Sequence, residues 1–132
     1  MKLQIRLGEG KRVSTEIRGH QICSDQPVEA GGDDSAPAPY ELFLASIGTC
    51  AGYYVKAYCD AKGYSAEGIE LTLELERDPE TRAVKAFRTT LYVPSSLPGK
   101  LHPVLERVAA QCAVKKTIMA SPEFIMQTRV RD

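Results

Sequence analysis

PYELFLASIGTCAGYYVKAYC, residues 39–59, is the most apolar stretch of the chain and the one whose reading decides the fold class. Pro39 suits a first helical turn and Glu41 complements the helix dipole there, so helix is favoured from Tyr40. Gly48 interrupts the pattern and Thr49 is a good N-cap. The expectation is therefore two helical pieces, the second running from Cys50 to about Lys62 and stopping at Gly63. On a wheel at about 100° per residue, only Lys56, Asp60 and Lys62 break the apolar circumference of that second piece. A helix apolar nearly all round is a buried helix, and in so short a chain a partner subunit is the economical cover, which predicts a homodimer.

The flanking sequence reads as strands and short helices. Leu3, Ile5 and Leu7 alternate, GEGK turns, and Val13, Thr15 and Ile17 alternate again, as in a hairpin. A third short strand, QICS, precedes QPVEAGGDDSAPAP, an aperiodic loop dense in Gly, Pro, Asp and Ala. Ile69, Leu71, Leu73 and Leu75 alternate with Glu70, Thr72, Glu74 and Glu76 as a half-buried strand. RDPETR turns into a strand from about Val84 to Val93, whose apolar parity shifts between Ala86 and Phe87, the mark of a bulge. A helix from Pro103 breaks near Gln111, a short helix follows from Cys112 to Met119, and FIMQTRV reads as a last strand. Strands separated by helices in this order indicate an α+β domain, antiparallel sheet on buried helix, spanning residues 1–132.

Composition narrows the function. Of 132 residues, 43% are hydrophobic and 26% charged, with seventeen acids against seventeen bases. Nothing in that balance draws the chain to nucleic acid or to an anionic membrane. The N-terminus MKLQIRLGEG lacks an apolar core for a signal peptide, and no run reaches ~18 apolar residues, so the expectation is a cytoplasmic protein with no membrane span. Four cysteines, at 23, 50, 59 and 112, are too few and too scattered for a disulfide scaffold or a zinc site. No metal and no cofactor are expected.

Each thiol is then either core filler or redox chemistry. Cys50, on the first turn of a helix capped by Thr49, would meet unpaired N–H groups that favour the thiolate; equally, it could be a small buried hydrophobe beside Tyr54, Ala57 and Ala61. Cys112, at a break between two helices and ahead of Ala113-Val114-Lys115-Lys116, has a similar setting. Cys59 lies about 180° around the helix from Cys50 and reads as core filler, as does Cys23. Glu41, Arg18 and the Lys11-Arg12 pair are the charges that could steady a thiolate in an apolar pocket, against the plainer reading of each as a solvated surface charge. His20 and His102 pair with no cysteine by local spacing, and Asp33-Asp34 reads as part of a polar loop rather than a cation site.

RGHQICSDQP (18–27), GGDDSAPAPYELFLASIGTC (31–50) and QCAVKK (111–116), taken in order, resemble the OsmC/Ohr family of osmotically induced and organic hydroperoxide resistance proteins. The resemblance implies an intertwined homodimer in which long central helices are sandwiched by antiparallel sheets. It also implies a cysteine-dependent thiol peroxidase in oxidative-stress defence, with Cys50 the peroxidatic thiol, Cys112 the resolving thiol, and Glu41 and Arg18 (or Lys11 and Arg12) supporting them. Its partners would be a small organic hydroperoxide and a dithiol reductant. Two other functions fit the same residues: a non-catalytic dimer of this fold binding an apolar small molecule at the subunit interface, and a thiol–disulfide carrier, against which the lack of C-x-x-C counts.

Overall fold

The structure is a computed structural model and describes residues 1–131, which divide into two compact units, one ending at Ser46 and the other beginning at Ile47. In the first unit, strands β1 (Arg6–Leu7), β2 (Val13–Ile17) and β3 (His20–Ser24) form an antiparallel sheet in that order. Ile17 pairs with His20, so Arg18 and Gly19 make a two-residue hairpin loop. Both have positive φ, 51° and 85°, the conformation that matches the twist of the flanking strands.

The polar loop that follows β3 is knitted around one carboxylate. Asp25, 1% exposed, accepts hydrogen bonds from the Gln26 N–H (2.8 Å), the Ser35 N–H (3.0 Å), the Ser35 hydroxyl (2.6 Å) and the Asp33 N–H (3.3 Å). The Ser35 hydroxyl first, then the backbone N–H groups, hold the Asp25 carboxyl down to about 2. Arg12 binds the outside of the same loop through Asp33 (2.8 Å) and the Ser35 hydroxyl (3.2 Å). Gly32 crosses so close to residues 25 and 26 that a methyl group there would lie 2.0 Å from the Gln26 carbonyl oxygen.

Helix α1 (Pro39–Lys62) is continuous, which corrects the expected break at Gly48 and Thr49. A mid-helix glycine costs about 1 kcal/mol, less than the burial of the stripe that runs past it: Ile47, Ala51, Val55 and Cys59, spaced four apart, are all buried. Within the chain only this stripe of α1 is buried, and Tyr53 is 65% exposed.

In the second unit β4 (Glu70–Arg77) and β5 (Val84–Tyr92) form an antiparallel hairpin in which Leu71 faces Leu91 and Leu75 faces Phe87. The bulge lies one step earlier than the apolar parity suggested: Glu76 pairs with Ala86 and Arg77 with Val84, leaving Lys85 as the extra residue. Helices α2 (His102–Ala109) and α3 (Ala113–Met119) follow, close to their expected bounds. Ala51, Val55 and Cys59 of α1, with Leu97 and with Leu101, Leu105 and Ala109 at and along α2, make the core; Ile69, Leu71 and Leu91 pack against it from the hairpin. FIMQTRV is not a strand: no described strand pairs with it, and Phe124 is 96% exposed. Alternation alone does not make a strand where no neighbour completes the ladder.

Candidate active site: a pair of cysteines

Cys50 and Cys112, sixty-two residues apart in sequence, come together in the second unit closely enough for each thiol to alter the other's titration. Cys50 stands on α1, one residue before the buried Ala51, and is half-buried. Cys112 is 2% exposed and is the N-cap of α3. Its backbone (φ −47°, ψ 123°) is non-helical, and its sulfur accepts the Lys115 N–H at 3.4 Å. On its other side the Cys112 sulfur lies 4.0 Å from the Ile47 carbonyl oxygen, a long contact.

The two thiols are driven in opposite directions. The Val114 N–H, then the Cys112 S–H and the Ala113 N–H, outweigh burial and hold the Cys50 thiol below its ordinary range. Burial first, then the Cys50 hydrogen bond and charge, push the Cys112 thiol up, against the Lys115 and Val114 N–H groups. Of the two, the more exposed Cys50 is therefore the thiol that gives up its proton more readily, and the buried Cys112 the one that keeps it. The cap expected for Cys50 from its own Thr49 is replaced by the first turn of α3, whose N–H groups supply the same chemistry from a distant part of the chain.

The other candidates have local structural roles. Glu41 accepts the Ala38 N–H at 2.9 Å and so caps the start of α1. Arg18 occupies the β2–β3 turn, Arg12 holds the loop, and Lys11 is exposed. These four belong to the first unit. Cys59 is core filler as expected, 1% exposed, its thiol pushed up by burial and by the Asp60 charge. Cys23 is not: it is exposed on β3, because the buried side chain at the end of that strand is its neighbour Ser24, which points to the opposite face. The sequence indicated a helix start at Cys112 but not that the N–H groups of residues 113 and 114 bear on Cys50, nor the Asp25 hub. The signal for the first was Cys112 ahead of AVKKTIM, a cysteine in the N-cap position.

A family model described as OsmC-like protein matches residues 32–127, which include both cysteines. The chain belongs to the OsmC-like family. No curated protein matches the sequence. Among solved structures, the OsmC-like chain is similar to a protein from Psychrobacter arcticus 273-4 named for osmotic stress induction and a detoxification response. That match has TM-score 0.74 at 18% identity, over 89% of this chain and 87% of that one. The OsmC like protein from Mycoplasma pneumoniae gives TM-score 0.70 at 13% identity, covering 89% and 86%. The organic hydroperoxide resistance protein OhrB of Bacillus subtilis gives 0.54 at 21%, covering 88% and 87%. At these identities the likeness establishes the OsmC-like fold, mixed α and β with antiparallel sheets.

Among the described residues, no group of three or more His, Cys, Asp or Glu is placed to hold a metal ion, and no helix is long and apolar enough to cross a membrane. An open groove lined by Tyr64, Gly68, Pro94 and Leu97 lies in the same unit and includes neither Cys50 nor Cys112.

Proposed function

We propose that the Cys50–Cys112 pair makes this OsmC-like protein a thiol peroxidase that reduces organic hydroperoxides in oxidative-stress defence. The observation that carries the proposal is the asymmetric pair: a half-buried thiol held toward its anion by the Val114 N–H, beside a buried thiol held toward its neutral form by burial. The thiolate is the nucleophile, and Cys112 is the thiol that the fold brings beside it. The Cys50 thiolate attacks the distal oxygen of the hydroperoxide and becomes a sulfenic acid as the alcohol leaves. Cys112 then displaces hydroxide to close a disulfide, and a dithiol reductant reopens it. Apolar residues flank Cys50 along α1, which favours an organic over an inorganic peroxide. The resistance protein of Bacillus subtilis that shares this fold is named for the same substrate class. Glu41 and Arg18 are proposed only as auxiliary charges, secondary to the two sulfurs.

The same function is proposed for a homodimer of single-domain chains. Leu3, Ile5 and Tyr53, with Phe124, Ile125 and Met126, are large apolar side chains exposed in the single chain, and a second copy is the natural cover for them. Adding one equivalent of tert-butyl hydroperoxide to the reduced protein is expected to remove two free thiols and give a Cys50–Cys112 disulfide by peptide mass spectrometry. Survival of both thiols in the folded protein would refute the peroxidase function and leave a non-catalytic binding protein. Light scattering at micromolar concentration is expected to give the mass of two chains.

A further inference from the structure

We infer that Tyr54, braced by Tyr53, is the wall against which the organic group of the peroxide packs, and that its ring makes the site favour an aromatic group over a saturated one of the same size. The inference rests on the peroxidase function proposed above and names the substrate preference of that site.

Cys50 lies within a continuous helix, so the helical repeat fixes which side chains stand one turn away from it. One turn back, Ile47 is buried in the apolar stripe of α1. One turn on, three and four residues from Cys50, stand Tyr53 and Tyr54. Tyr53 is 65% exposed and Tyr54, like Cys50, is half-buried. Long side chains in a helix lean toward its N-terminus and cover the turn before their own. For these two tyrosines that turn is the one carrying Cys50.

The ring geometry narrows the placement. Side chains at consecutive helical positions start about 100° apart and splay outward unless they turn toward each other. The Tyr53 and Tyr54 ring centroids are 5.4 Å apart and the rings meet edge to face at 74°, so they converge over the strip of helix between them. On a wheel that strip holds Cys50 and Ala57, both small. The bulk that α1 sets beside the Cys50 sulfur is therefore aromatic ring.

A ring discriminates where an aliphatic wall would not. An aliphatic wall rewards a guest only for the area it buries, whereas a ring, with its negative face and positive edge, also attracts a second ring in an offset or edge-on arrangement. The Tyr53 contact already fixes the orientation of Tyr54, so little freedom is lost when the guest packs against it. The selectivity belongs to the ring and not to the tyrosine hydroxyl.

The test compares cumene hydroperoxide with its ring-saturated counterpart, 2-cyclohexyl-2-propyl hydroperoxide, which has the same branching at the reacting carbon. Second-order rates of Cys50 oxidation are measured, each divided by the rate of the same peroxide with free cysteine, and the ratio of the two is read. Wild type is expected to favour the aromatic peroxide by about 2- to 10-fold, Y54F to keep that ratio, and Y54L to bring it close to one. A wild-type ratio near one, or a Y54L ratio as large as that of wild type, overturns the inference. Wild-type Cys50 inert to both peroxides sinks the peroxidase function and the inference with it, whereas oxidation of Cys50 without selectivity sinks the inference alone. A second measurement needs neither turnover nor a variant. The product alcohol 2-phenyl-2-propanol is expected to slow iodoacetamide labelling of wild-type Cys50 at lower concentration than 2-cyclohexyl-2-propanol does; equal protection by the two, or none, overturns the inference.

Discussion

Replacing Gly32 by alanine places a methyl group 2.0 Å from the Gln26 carbonyl oxygen, 2.6 Å from its carbon and 2.8 Å from an Asp25 carboxylate oxygen. The first distance is about 1.4 Å short of ordinary contact, which begins near 3.4 Å, and the obstacle is backbone rather than the end of a flexible side chain. To relieve it the loop must lift away from residues 25 and 26. That stretches the bonds closing the crossing, Gly32 N–H to Pro27 (3.1 Å) and Asp34 N–H to Gln26 (3.0 Å). Two backbone hydrogen bonds at about 1 kcal/mol each, with overpacking of about 1–3 kcal/mol, put the loss at roughly 3–5 kcal/mol. For a chain of this length that lowers the melting temperature by roughly 10–20 °C.

The neighbouring substitution is the control. Gly31→Ala meets only the Lys11 side chain, at an ordinary 3.7 Å, but must hold φ at +88°, a backbone strain of about 1–2 kcal/mol. Urea titration followed by far-ultraviolet circular dichroism separates the two. If G32A costs less than about 1 kcal/mol, or no more than G31A, the close crossing over Asp25 is not what holds this loop.

Iodoacetamide is expected to label Cys50 at a lower pH than an ordinary thiol requires, and Cys59 and Cys112 only slowly, since burial raises both; equal labelling of Cys50 and Cys112 on peptide mapping would contradict the asymmetry of the pair. Asp25 is depressed to about 2 from an ordinary 3.8. The stability it contributes is complete above the ordinary value and is lost as pH falls through the folded one. Acid titration of D25N should therefore show a shallower loss of stability between pH 4 and pH 2 than the wild type, and identical slopes would remove Asp25 as the loop's anchor. Leu105, 1% exposed in the core between α1 and α2, should cost about 3–5 kcal/mol as L105A in urea unfolding; a cost under 1 kcal/mol would mean that the core closes over the gap.

Local pattern carried most of the fold. The alternation of Leu71, Leu73 and Leu75 identified β4, and Pro103 with the break near Gln111 located α2 and α3, because strand and helix periods are written within a few residues. The same local rules failed where distant contacts outweighed them. Gly48 and Thr49 have the form of a stop and a cap, yet the buried stripe of Ile47, Ala51, Val55 and Cys59 carries α1 straight through them. Cys23 has the look of core filler and FIMQTRV of a last strand, yet no described neighbour covers the first or pairs with the second.

By itself the sequence determined most of the element types, the apolar helix and the two cysteines in the positions of the OsmC-like pattern. It also offered a thiol at each of two expected helix starts as a candidate for redox chemistry, against core filler. Only the tertiary structure decided that Cys112 alone stands at a helix start while Cys50 lies within α1. The N–H groups that steady Cys50 belong to residues 113 and 114, beside the thiol that would resolve it, and not to the turn that Thr49 opens. The reason is physical: a helix interior spends its own N–H groups on carbonyls four residues back, so backbone N–H groups that steady a thiol within α1 come from a turn whose own donors are unpaired.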